Sequence, residues 1–211
     1  MILEQSEERA WKRIEALSVD DRVELVRDIA LRGYTDAVDL TACRALIHAF
    51  PSMSFKDTAA LGAAHQVLRS LADRLIIISE SALGLIKRPD DRHARVAIKA
   101  LISDPLVLDA VAEHGDEGAL KLAIQTWSAS DIDLRRDLIK HHRNKSVAHR
   151  GVPNSDKRDP FIEEIYVISG RVASMLAFLA TGTGVRTDTR SLHSDGAYQS
   201  AYAFWKPWAQ G

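Results

Sequence analysis

An all-α fold is what this sequence predicts: a helical bundle with additional helices at its N-terminus. Three observations carry the prediction. Apolar residues recur at threes and fours along most of the chain, no segment sustains the alternation of a half-buried strand, and Gly or Pro stands at most of the breaks between the periodic stretches.

Taken in order, the spacing predicts three short N-terminal helices at 3–17, 20–32 and 35–50, with breaks at Ser18, Gly33 and Pro51. A long core helix follows over 56–87, in which Leu61, Ala64, Leu68, Leu71, Leu75, Ile78, Ala82 and Leu85 step by three and four until Pro89 closes it. Two further helices are expected at 91–102 and 105–130, the second interrupted near Gly115 and Gly118. The next, 131–150, turns Leu134, Leu138 and Ile139 inward and is stopped by Gly151 and Pro153. Over 159–180, Pro160 suits a first helical turn, and Phe161, Ile165, Ile168, Val172, Met175 and Leu179 form one stripe ended by Gly182 and Gly184. The last twenty or so residues end in Tyr198, Tyr202, Phe204, Trp205 and Trp208. Rings that large, placed together, are expected to pack as an ordered clip against the bundle or across a dimer. The organisation is therefore read as one main domain, with residues 1–55 packed on a bundle at 56–185 and an aromatic segment at 186–211.

The 211 residues suffice to bury a substantial core. No uninterrupted apolar run approaches the roughly 18 residues that span a bilayer, and the N-terminus lacks a signal-peptide plan, so no membrane partner is expected. A single cysteine, Cys43, excludes an internal disulfide and fits a cytoplasmic location. The 28 basic residues nearly cancel the 29 acidic ones, so any attraction to nucleic acid must be local. It concentrates at 135–150, where Arg135, Arg136, Lys140, Arg143, Lys145 and Arg150 face the single acid Asp137. Such a patch can neutralise phosphates, although a solvated basic helix face gives the same count.

Within the patch, Arg143 and His149 stand six residues apart. On an α-helix that offset leaves them about 120° apart around the axis, a geometry better served by a cleft between two copies of the chain than by one narrow face. His142, Ser146 and His149 do share a face. Imidazole titrates near neutral pH and guanidinium does not, a pairing suited to phosphodiester chemistry. On RNA, a ribose 2′-hydroxyl would lose its proton to a histidine and attack the adjacent phosphorus, a histidine or water would protonate the leaving 5′-oxygen, and Arg143 would hold the phosphoryl oxygens. Asn144 could orient the phosphate or the imidazole, and neither a metal nor a cofactor is required.

Arg143-Asn144-Lys145-Ser146-Val147-Ala148-His149 resembles the signature of the HEPN superfamily, in which an Arg, four to six residues and a His are characteristic and a polar residue often follows the Arg. The succession of a long apolar helix, the motif helix and a second long helix is also similar to that superfamily's bundle, and the string is most similar to its abortive-infection branch. About 56–208 is covered. The resemblance implies a metal-independent endoribonuclease acting as a homodimer in a toxin or phage-defence role, with an antitoxin protein as a further partner. Arg143 and His149 then take the catalytic positions and Asn144 the auxiliary polar one, with Arg136, Lys140, His142, Lys145, Ser146 and Arg150 as RNA-binding residues around them. One departure is Gly151, where toxins restrained by a nucleotidyltransferase partner carry a modifiable tyrosine; that modification is not expected here. The superfamily also contains noncatalytic modules that bind nucleotides, nucleic acid or proteins, and this remains the alternative.

Other constellations weigh less. His141, His142 and His149 lack a cysteine or a close acidic ligand other than Asp137, and Arg143 and Lys145 would repel a cation. Gly182-Thr183-Gly184 has neither the preceding strand nor the following lysine of a phosphate loop and reads as a helix stop. Asp73 and Arg74 put charge into the long apolar helix, read as a solvated or interface pair, with a carboxylate that orients a motif residue as the second possibility.

Overall fold

The computed structural model describes residues 2–50, 53–86, 88, 91–144, 158–185 and 194–209, without the side chains of 2–6 and 194. Among them are nine α-helices and no strand: α1 Ile2–Glu15, α2 Val19–Ala49, α3 Thr58–Leu83, α4 Ala94–Ser103, α5 Pro105–Ala112, α6 Glu117–Asp131, α7 Leu134–His142, α8 Ile162–Gly182 and α9 Ser194–Trp205. A single 3-10 turn, Lys206–Trp208, follows α9.

Short polar side chains start these helices where the sequence puts them, because they satisfy backbone N–H groups that no helical carbonyl reaches. Ser18 Oγ accepts from the Asp21 amide and donates to the Asp21 carboxylate, opening α2. Asp57 accepts from the Ala60 amide for α3, Asp104 from Leu106 for α5, Asp116 from Ala119 for α6 and Asp133 from Arg135 for α7.

The chain divides into two compact units, each drawn from three stretches: 1–37, 81–132 and 171–187 in the first, and 38–80, 133–170 and 188–211 in the second. In the first, Ile14 of α1, Val26 and Ile29 of α2, Ile98 and Leu101 of α4, Val107 and Val111 of α5, Leu120 of α6 and Leu179 of α8 make one dry core. Arg22 reaches Asp104 at 2.7 Å, and Arg95 pairs with Glu7 and Asp131 while its guanidinium stacks on Trp127. In the second unit, Ala45, Ala49, Ala64, Ala201 and Trp205 form a core ringed by Phe50, Phe55, Leu68 and Tyr198.

Gly33 does not break the N-terminal helices as expected; α2 runs through it without interruption. Its glycine serves packing instead, since a Cβ there would lie 2.9 Å from Leu176 Cδ2 of α8. The strict stripe of α3 is buried at Ala64 in its first half and holds more fully in its second. Leu75, Ile78 and Ala82 are buried together with Ile76, Ser79, Glu80 and Leu83, while Leu61 is exposed and Leu68 and Leu71 are half-buried. Leu134 is likewise not a core residue: it occupies the first turn of α7, directly after the capping Asp133, and is 83% exposed, leaving Ile139 as the buried anchor.

The stripe of α8 is present from Ile165 onward, with Ile168, Val172, Met175 and Leu179 fully buried, whereas Phe161 precedes the helix and lies exposed beneath the Arg158 guanidinium. This helix is long and apolar enough to cross a membrane, and 56% of its most apolar window is buried, as in a core helix. It stops at Gly182, where the Thr183 hydroxyl donates to the carbonyl of Leu179 and Gly184 takes a φ of 69°. The expected break between α5 and α6 occurs at Gly115, whose missing Cβ admits the Gly182 carbonyl. Pro51, Pro89, Gly151 and Pro153 lie outside the described residues.

Candidate nucleic-acid interface

Helix α7 carries the first half of the basic motif, and its placement follows from two residues. Asp133 caps its start, and Ile139, 1% exposed, pins one face inward. Residues on that inward side are drawn toward α3, where Glu80 projects from the most apolar part of the helix. Glu80 Oε1 lies 3.7 Å from Arg136 Nε, with the two side chains 6% and 11% exposed. That separation is too long for a hydrogen bond and makes a through-space ion pair. Burial pushes the Glu80 carboxyl above its ordinary range, and the charges of Arg136, Lys140 and Arg143 pull it back only in part. One buried carboxylate therefore feels the charge of three cations of the motif helix, Arg136 being the one paired with it.

The carboxylate found here is Glu80, seven residues beyond Asp73; Arg74, the neighbour of Asp73, pairs with Asp39 of α2. Two signals made Glu80 findable. It stands four residues after Ile76 and three before Leu83, at helical spacing on the buried stripe, where a lone carboxylate is costly unless cations meet it.

At the other end of α7, the Arg143 amide donates to the carbonyls of both Ile139 and Lys140, and the backbone widens into a π-type turn at Arg143 and Asn144. Such turns are a recurrent feature of functional sites. The Arg143 guanidinium donates to Asn144 Oδ1 at 3.0 Å, so the two side chains the motif singles out are joined directly. His142 Nδ1 lies 2.8 Å from Asp159 Oδ1. Asp159 belongs to a tightly fastened entry into α8: Arg158 donates to both oxygens of Glu164 at 2.7 and 2.6 Å and to the Asp159 carbonyl at 3.0 Å, and Glu164 accepts from the Phe161 amide. The Arg158 guanidinium beside it pulls the Glu164 carboxyl down to about 2.

Arg143, Asn144, Lys140 and His142 are thus half-exposed on the last turns of α7, while Arg136 is turned to Glu80. His149, Lys145, Ser146 and Arg150 lie outside the described residues. His141 differs from His142 in having a buried Nε2 without a hydrogen-bond partner. Among the described residues, no group of three or more His, Cys, Asp or Glu side chains is placed to hold a metal ion. Elsewhere in the second unit, an apolar cleft of about 440 Å³ is lined by Val38, Ala42, Leu46, Ala197, Ala201 and Phe204. It offers no side chain capable of acid-base work.

No family model, curated protein or solved structure matches this chain.

The chemistry open to the α7 surface is therefore argued from its own groups. A guanidinium coupled to an amide can hold the two non-bridging oxygens of a phosphate in a fixed orientation. An imidazole hydrogen-bonded at one nitrogen presents the other for proton exchange. Asp159 was not singled out in the sequence, where it reads only as the residue before a helix-opening proline.

Proposed function

We propose that this chain is a metal-independent endoribonuclease of the HEPN kind, acting as a homodimer on RNA in the cytoplasm, in a toxin or phage-defence role with an antitoxin as its restraint. The observation that carries the reading is the Arg143–Asn144 pair, joined by a 3.0 Å hydrogen bond at the end of α7. A preorganised guanidinium is what a phosphodiester cleavage needs most, because charge accumulates on the non-bridging oxygens as the 2′-oxygen attacks. Lys140 adds charge along the same helix, and the all-helical architecture agrees with the resemblance from which the assignment of His149 comes.

In this mechanism His149 accepts the proton of the ribose 2′-hydroxyl. The 2′-oxygen bonds to phosphorus, the bond to the 5′-oxygen breaks, and the products are a 2′,3′-cyclic phosphate and a 5′-hydroxyl. Unpaired RNA is the expected substrate, since duplex geometry resists in-line attack by the 2′-oxygen.

The test is incubation of the purified protein with total and structured RNA in excess EDTA, beside Arg143→Ala and His149→Ala. Cleavage by the wild type with cyclic-phosphate ends, reduced about 100-fold or more in each variant, is expected. Binding of RNA by all three folded proteins with no cleavage by any would replace the enzyme with a noncatalytic binding module.

A further inference from the structure

The nuclease reading leaves open which group protonates the departing 5′-oxygen, and the geometry at the end of α7 points to one. We propose that His142, held by Asp159, is the general acid of the site, delivering a proton from Nε2 to the leaving 5′-oxygen of the RNA. The inference rests on the endoribonuclease reading and adds a catalytic residue to it.

Three features of the structure carry it. The first is the pairing itself. With Asp159 Oδ1 at 2.8 Å from Nδ1, that nitrogen holds its proton against the carboxylate, and the ring can exchange a proton only through Nε2. His142 is also placed for contact, with a side chain 21% exposed and a backbone position next to Arg143, the residue that grips the phosphate. Finally, the backbone that carries the carboxylate is held, although the carboxylate itself is 68% exposed. Arg158 ties the Asp159 carbonyl to Glu164, Glu164 ties back to the Phe161 amide, and Pro160 fixes the step between them. An exposed ion pair adds little to stability, but a carboxylate carried on a fastened stretch of backbone suits a group that fixes a ring's orientation.

The proton balance closes. His149 takes the 2′-hydroxyl proton as the bond from the 2′-oxygen to phosphorus forms. The bond from phosphorus to the 5′-oxygen breaks, and the 5′-oxygen takes the proton from Nε2 of His142. The turnover leaves His149 protonated and His142 neutral, and exchange with water restores both. Asp159 keeps its charge throughout and acts as a positioning residue.

Replacing the leaving oxygen tests this directly. An RNA oligonucleotide that the protein cuts is compared with the same oligonucleotide carrying sulfur in place of the bridging 5′-oxygen at the cut, because a thiolate departs without a proton. His142→Ala and His142→Gln should slow cleavage of the oxygen substrate about 100-fold or more and slow the sulfur substrate far less, so that sulfur substitution rescues the variant. Asp159→Asn should fall between wild type and His142→Ala on the oxygen substrate and be rescued likewise, whereas His149→Ala should be slow on both. Circular dichroism establishes that each variant is folded. Equal slowing of the two substrates would assign His142 a structural or phosphate-holding role and overturn the proposal, as would a His142→Ala protein as fast as wild type on both. Failure of the folded wild type to cut any RNA would instead remove the nuclease reading, and this inference with it.

Discussion

Trp205 is the side chain on which the second unit most depends, and truncating it to alanine should be among the costliest single changes there. The ring is fully buried, its Nε1 donates to the Leu46 carbonyl at 2.9 Å, and it meets Phe50, Phe55, Phe204 and Trp208 edge-on with centroids 4.9–6.3 Å away. A buried tryptophan removes about 200 Å² from water, worth about 5 kcal/mol at 25 cal/mol per Å². A compact unfolded chain reduces that to about 3–4.5 kcal/mol, and the lost hydrogen bond adds about 1 kcal/mol. Trp205→Ala should therefore lose about 4–5 kcal/mol, or about 8–20 °C in Tm for a chain of this size. Urea unfolding followed by circular dichroism measures it, with amide exchange over α9 and the end of α2 reporting the second unit by itself. Tyr202→Ala, on the same helix but 44% exposed, is the control and should cost about 0.5 kcal/mol or less. A loss below about 1.5 kcal/mol for Trp205→Ala, or equal losses in the two variants, would refute the claim that this ring organises the unit.

Two further outcomes follow from the packing. Glu80→Gln should show a pH signature: burial holds the folded carboxyl above its ordinary 4.5, so the stability Glu80 contributes is full below that value and is lost as pH rises through the folded one. The variant should thus gain on wild type between acid and neutral pH in urea midpoints, and a gap constant across that range would show that Arg136, Lys140 and Arg143 offset the burial completely. Among the glycines, Gly62→Ala meets nothing within 4 Å on α3 and should stabilise by about 0.5–1 kcal/mol. Gly115→Ala would place a Cβ 1.9 Å from the Gly182 carbonyl and should cost about 1–3 kcal/mol or more, so thermal melts that rank the two the other way would count against the described turn.

The helices were legible because their causes are local. Ser18, Asp57, Asp104, Asp116 and Asp133 cap the helices that follow them, and the stripe from Ile165 to Leu179 is buried where its spacing says it should be. What misled was residue type read without its neighbours. Gly33 carries a break signal at short range, yet α2 continues because Leu176 packs against the space a side chain would fill. Leu61 and Leu134 have the right period, but period alone does not show which helical segment another element covers. The partition into two units was not visible either, because α3 and α8 each read as one periodic run, and the break expected in α2 was at Gly33 rather than after Ala37, while all three helices are divided between the units.

The site was legible in its cations, Asn144 and the histidines but not in the carboxylates that meet them, and that limit has a physical origin. Counting from Arg135 to Arg150 weighs every positive residue alike, whereas folding sorts them by the carboxylates they meet. Arg135 is taken up by Asp133 at 3.0 Å and Arg136 by the buried Glu80, while Lys140 stays half-exposed and Arg143 is fixed to Asn144. A solvated basic face would spread its charge evenly and bind anions by number. Here the cations nearest the start of α7 are turned to carboxylates, and the groups able to orient a phosphate or pass a proton collect at its end, beside a histidine whose ring a second carboxylate holds in place. Those two carboxylates lie 79 positions apart in the sequence, at 80 and 159. No reading of the motif alone could have brought them to the same helix.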